Sequence, residues 1–162
     1  MSTSRFVVEH IRLTTTKPFD QVRADFERQL GRFDAHAYRS LASGENTDTV
    51  RARIEAMAGP SGLMAFATHD HGALLRLVGL TRQAVQYVVG NPLYAVQMTQ
   101  HAIGASLYAP LRVLLSESDA GEICAEYDRP ASLFGQFGDD RIAQVEASLD
   151  HKLENLVATA MR

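Results

Sequence analysis

The break at Gly90-Asn91-Pro92 constrains this chain more than any other feature. Before it, Val85, Tyr87 and Val89 alternate with Gln86 and Val88, the period of a half-buried strand. After it, Tyr94, Met98, His101 and Ala105 recur at helical spacing. Gly90 tolerates backbone angles that other residues avoid. Asn91 is a good N-cap, and Pro92 suits the first helical position, where no N–H partner is needed. A strand therefore ends and a helix begins within three residues, and the helix runs to about Gly104. Its first N–H groups carry partial positive charge, which serves either an anion or the cap alone.

The residues that follow predict a β-hairpin. Leu111, Val113 and Leu115 alternate with Arg112, Leu114 and Ser116; Asp119-Ala120-Gly121 is a turn; Ile123, Ala125 and Tyr127 form one face of a return strand. Antiparallel pairing brings Arg112, near the start of one strand, to Asp128-Arg129 at the end of the other. Two readings stand: an Arg112–Asp128 ion pair, or Arg112 and Arg129 facing a ligand carboxylate or phosphate.

Upstream, residues 6–14 predict a first strand with Val7, Ile11 and Leu13 inward, and Glu9 marks its start as an edge. Pro18-Phe19-Asp20 opens a helix to about Gly31, with Phe19, Val22, Phe26 and Leu30 as its apolar stripe. Residues 33–43 read as a connector anchored by Tyr38 and Leu41. Asn46 or Thr47 caps a short helix to about Ala58, with Val50, Ile54 and Met57 on its buried side. Gly59-Pro60-Ser61-Gly62 breaks the chain before a strand over 63–68. A turn at His69–Gly72 leads into another strand, Ala73 to Val78. Downstream, residues 135–138 read as flexible. Asp139 or Asp140 caps a final helix to about Thr159, whose stripe is Ile142, Val145, Leu149, Leu153, Leu156 and Val157.

Several residues carry chemistry. His69 and His71 are two apart, so an extended chain points both to one face, with Asp70 between them. Two histidines are not a metal site; His101 or Asp128 would have to complete it. The plainer reading is that His and Asp hydrogen-bond locally in a turn. His71 also titrates near neutrality and suits a general base, with Asp128 as its acid–base companion. Met98 and His101, at i and i+3, suit a soft metal or a haem iron, or simply a core methionine beside a surface histidine. His10, His36 and His151 read as surface residues. The one cysteine, Cys124, excludes an internal disulfide and suits a reducing cytoplasm. Glu122 and Glu126 share its face, which argues against an activated thiol.

The stretches GNPLYAVQM, SLYAPLRVLL and EYDRP, with the Asp70-His71-Gly72 turn, resemble the bacterial family known as domain of unknown function 302. The resemblance covers about residues 50–157 and, less closely, the N-terminal strand and helix at 6–31. It implies an α+β fold: a single curved antiparallel sheet backed by helices, β-α-β(4)-α-like, with an extra helix near 47–58. It also implies a homodimer. The family supplies no catalytic residue to carry over. Ala131 stands where a serine is expected after Pro130, with Ser132 next.

Composition narrows the remaining classes. A net charge of −3 without a Lys/Arg cluster disfavours nucleic acid. No apolar stretch approaches the length of a membrane span, and the first residues, Met1-Ser2-Thr3-Ser4-Arg5, lack a signal-type apolar run. One domain over 1–162 in the cytoplasm is the expectation. The favoured reading is a binding protein with a small amphipathic or anionic ligand held between sheet and helix. His71, Asn91, Tyr94, Met98, Arg112, Tyr127 and Arg129 line its site, and haem or a metal is a variant. The alternatives are a small-molecule enzyme using His71 as acid or base, and a ligand-free dimeric structural or regulatory module. The cofactor is left open.

Overall fold

The computed structural model describes residues 3–162; Met1 and Ser2, the start of the segment read as lacking a leader, lie outside the described residues. Among the described residues six strands form one open sheet in the order β1-β6-β5-β4-β3-β2. They are β1 His10–Thr15, β2 Gly31–Arg32, β3 Met64–Asp70, β4 Ala84–Gly90, β5 Leu111–Glu117 and β6 Ile123–Asp128. Among the described residues seven α-helices join them: α1 Phe19–Glu27, α2 His36–Ala42, α3 Thr47–Ala56, α4 His71–Leu75, α5 Pro92–Thr99, α6 Pro130–Phe134 and α7 Asp140–Met161.

Alternation decides which face of the sheet is covered. Ile11, Tyr127, Val113 and Tyr87 lie opposite one another across four strands, and Leu13, Ala125, Leu115 and Val85 form the next row. These rows meet Phe19, Val22 and Phe26 of α1 and the stripe of α7 in the main core. Each fully buried Leu or Val of that stripe, such as Leu153 or Val157, contributes about 1.5–3 kcal/mol over an exposed one. The other face carries Arg12, Glu126, Leu114 and Gln86 as one row. A satellite core of Ala37, Val50, Ile54 and Met64 ties α2 and α3 to the β3 side.

The sheet is mixed rather than purely antiparallel. β2 runs parallel to β3, pairing Gly31 with Met64 and Arg32 with Ala65. Two residues offer no alternation to read. What permits the pairing is a close backbone crossing: a Cβ on Gly31 would lie 1.7 Å from the Met57 carbonyl oxygen, and one on Gly59 would lie 2.3 Å from the Gly31 nitrogen. The layout thus departs from simple β-α-β(4)-α, although the helix near 47–58 is present as α3.

The segment expected as a strand over 73–78 is α4 followed by a 3-10 turn at Arg76–Val78. Asp70 Oδ1 accepts a hydrogen bond from Ala73 N at 2.8 Å and caps the helix. Leu74, Leu77 and Val78 have i, i+3, i+4 spacing, which the alternating reading overlooked. Gly72 closes the excursion, because a Cβ there would meet the Arg82 carbonyl at 2.5 Å. The first strand starts at His10 rather than at residue 6, so Val7 is exposed, while Phe6 stands edge-on to Tyr108 at 5.8 Å. β1 is an edge strand, as Glu9 suggested. The connector 33–43 holds α2, and Gly135–Phe137 forms a 3-10 turn after α6. Asp139, not Asp140, caps α7 through Arg141 N. No described helix is long and apolar enough to cross a membrane.

Candidate functional site

The strand-to-helix break builds one wall of an apolar cavity. Asn91 is extended (φ −146°, ψ 124°), and its Oδ1 accepts a hydrogen bond from Leu93 N at 2.9 Å. Its Nδ2 donates to the Gly62 carbonyl at 3.0 Å, tying the start of α5 to the loop before β3. With α5 fixed, Tyr94 and Met98 point one turn apart into the same space, and Gly90, Pro92 and Ala95 complete that wall. Tyr38 from α2, Phe66 from β3, Phe134 from α6 and Leu149 from α7 close the other sides, with Ala109, Pro110 and Leu111 at the start of β5. The centres of water-sized molecules can range over about 60 Å³ of it, inside a half-open depression of about 420 Å³ that includes solvent at its mouth. That is room for more than one water, so several waters or a small molecule fit.

Phe66 reaches the cavity because β3 carries a bulge. Ala65 pairs with Val89 but Ala67 pairs with Val88, leaving Phe66 as the extra residue. Its ring stacks on Phe33 at 4.5 Å, and Phe33 packs against the half-exposed Tyr38 at 5.0 Å. The polar groups are few: the Asn91 amide and the phenols of Tyr38 and Tyr94. Burial raises the Tyr38 pKa, so its hydroxyl stays a neutral donor. Lys152 Nζ stands 5.5 Å from the Tyr94 ring centroid, a cation–π contact next to the wall.

The other residues read as site candidates lie elsewhere. Arg112 lines a shallow groove on the open sheet face with His10, Gln86 and Asp128, and it makes no ion pair among the described residues. Asp128 is engaged by His10 instead, with Nδ1 3.0 Å from Oδ1. That hydrogen bond, helped by Glu126 at 3.5 Å, raises the His10 pKa, so the imidazole read as a plain surface residue is the proper partner of this corner. Arg129 pairs with Glu9 at 3.0 Å and borders a cleft against α7 with Tyr127, Asp150 and Glu154. Tyr127 is buried in the core, which raises its pKa, with Glu154 adding to the effect.

The histidines do not converge. His69 Nδ1 lies 3.1 Å from Gln86 Oε1, and its ring is edge-on to His71 at 6.5 Å. His101 sits in a separate polar groove with Arg141 and Gln144. Met98 is buried in the cavity wall, so it and His101 serve different spaces. His71 follows β3 whereas Asp128 ends β6, three strands away, a separation of about 14 Å from strand spacing alone. Among the described residues no group of three or more His, Cys, Asp or Glu is arranged to hold a metal ion. Cys124 is 1% exposed, and Arg12 Nη2 donates to its sulfur at 3.1 Å.

Of the residues singled out in the sequence, Asn91, Tyr94 and Met98 meet in one place. Tyr38 was legible only as an anchor in a connector. Leu149 read as part of the last helix's apolar stripe, Phe66 and Phe134 were not singled out, and no local signal distinguishes them. The match to the model of Domain of unknown function DUF302 spans residues 39–160, reaching further towards the N-terminus than the motifs alone. The crystal structure of an uncharacterized conserved DUF302 protein from Bacillus stearothermophilus has a similar fold. Its TM-score is 0.65 and its identity 14%, and the match covers 94% of this chain and 98% of that one. Among curated proteins, none matches the sequence. With the family model spanning most of its length, the chain belongs to the DUF302 family.

Proposed function

We propose that this protein binds a small amphipathic molecule in the cavity between β4, α5 and the α6–α7 pair. The observation that carries the reading is the cavity itself: aromatic and aliphatic walls from six separate segments, with Asn91 and two phenols as its polar groups. Ligand sites have this character, largely apolar with a few placed polar atoms. An apolar body about one ring wide fits, with one hydrogen-bonding end. Anion binding by Arg112 or Arg129 is not part of this site, since neither lines it. The acid–base alternative on His71 gains nothing from a partner three strands away.

The test uses indole and 1-hexanol as probes, followed by NMR shifts of the cavity methyls and by thermal shift. Gly90→Ala is the control. A Cβ at Gly90 would touch Pro110 and Phe66 at 3.5 and 3.6 Å, so it fills the space without a clash. The expected result is saturable shifts at Met98 and Leu149, weakened at least tenfold in Gly90→Ala. Shifts spread over the surface, or equal in both proteins, refute the reading.

One observation favours the dimeric module as a second reading. Leu74, Leu77 and Val78, an apolar stripe along α4 and its 3-10 turn, and Leu80 just past the turn are 59%, 83%, 71% and 55% exposed, without a cover among the described residues. Light scattering on the wild type and on Leu77→Asp decides it. A dimer that dissociates in the variant supports a self-association surface; a wild-type monomer removes it.

A further inference from the structure

We infer that the seam between α6 and α7 is a proton-sensitive wall of the cavity, with Glu146 as its sensor and Asp150 as the residue through which it acts. The inference rests on the cavity reading only in naming what the wall encloses. Glu146 Oε2 is shielded from solvent and has no hydrogen-bond partner among the described residues. A buried carboxylate oxygen without a donor is an unfavourable place for a charge. Asp150 lies one turn further along the same face of α7. Its Oδ1 accepts a hydrogen bond from Ala131 N at 3.0 Å, in the first turn of α6, so a side chain of α7 holds the neighbouring helix at its start. Glu146 lies under the other end of that helix: its Oε1 would be 3.9 Å from a Cβ on Gly135, the residue following α6. Between these two points α6 carries Phe134 and α7 carries Leu149, both in the cavity wall.

The charges around the seam make the two carboxylates unequal. Burial, then the like charge of Asp150, raises the Glu146 pKa, and no cation offsets it. Asp150 is also raised, chiefly by burial and further by Glu9. The Ala131 N–H, Arg129 and His151 act in the opposite direction. Glu154 and Tyr127 border the same cleft on the side away from Glu146. A group whose folded pKa is raised contributes stability that is present below its unfolded value, about 4.3 for Glu, and lost as pH rises through the folded value. The seam is therefore tightest when Glu146 is protonated. Above its titration two carboxylates one turn apart repel, the hold of Asp150 on α6 weakens, and Phe134 shifts against Leu149.

The experiment is a pH titration of the apo full-length chain by carbonyl and methyl ¹³C NMR, wild type against Glu146→Gln. The expected result is a Glu146 carboxyl midpoint above 4.3, tracked at the same midpoint by the Leu133 and Leu149 methyls, with that methyl transition absent in Glu146→Gln. A methyl transition unchanged in the variant, or an ordinary Glu146 midpoint, overturns the inference. Because no ligand is present, failure of indole binding leaves this result standing. Asp150→Ala then separates the roles: without the acceptor for Ala131 N it should loosen α6 at every pH while Glu146 still titrates, and an unaltered Ala131 amide shift would overturn the role given to Asp150.

Discussion

Asn91 is the residue whose removal tests the logic of the site most directly, because its two ends do different things. The Oδ1 caps α5 and the Nδ2 ties that cap to the Gly62 carbonyl. Loss of an N-cap costs about 1 kcal/mol. Loss of a neutral hydrogen bond that leaves a half-buried carbonyl costs about 1 kcal/mol more. Asn91→Ala should therefore destabilise by about 2 kcal/mol, a fall in Tm of roughly 4–8 °C for a chain of this size. Asn91→Ser keeps an acceptor and loses only the tie, so about 1 kcal/mol is expected. Asn91→Asp keeps the cap and gains about 0.3–1 kcal/mol from the helix dipole. It also replaces the donor with a carboxylate oxygen facing the Gly62 carbonyl, so it should still fall below the wild type. Urea unfolding followed by circular dichroism reads all three, provided the slope stays constant. A loss below about 0.5 kcal/mol in Asn91→Ala, or an Asn91→Asp variant as stable as the wild type, would refute the two-ended account.

The other expectations concern the core and the open face. Met98 is 1% exposed, so Met98→Ala should cost about 2–5 kcal/mol in the same urea assay, and a loss below 1 kcal/mol would contradict its packing. His10 should titrate above 6.5 because Asp128, then Glu126, favours its cation. Its small contribution to stability is present below pH 6.5 and disappears as pH rises through the raised value. NMR titration of the ring should show the midpoint falling in Asp128→Asn, and an unmoved midpoint would deny the contact.

How much of this was legible from sequence follows the range of the interactions. The strand-to-helix break, the hairpin and the α7 stripe are set by residues within a few positions of one another, and they were readable. The Gly31–Gly59 crossing was not, because its cause is contact between segments far apart in the chain. α4 was misread because Asp70 caps it through a side chain that an alternating pattern ignores. At the site, Asn91, Tyr94 and Met98 were found together because one helix carries them. Phe66 was missed because a bulge re-aims it, and Phe134 and Leu149 because a core side chain and a cavity side chain look alike in one dimension. Arg112 and Asp128 were correctly placed on adjacent strand ends. Pairing them overlooked β1, whose His10 competes for the same carboxylate.

The cavity itself can be traced to small residues among large ones. Gly90, Ala95 and Ala109 line it beside Phe66, Phe134, Tyr38 and Tyr94. A methyl at Gly90 would remove apolar surface of this depression from water, a gain of about 0.8 kcal/mol at most for one CH₂ group. Gly90 does not need glycine for its backbone angle, since its φ is not positive, and a Cβ meets only ordinary contacts. A purely structural module would have no use for the gap, and Gly90→Ala should then be a gain without a loss. If the gap serves a ligand, the same variant becomes more stable and binds indole more weakly, the usual opposition between stability and function. The two readings thus agree on the sign of the stability change and differ only in binding.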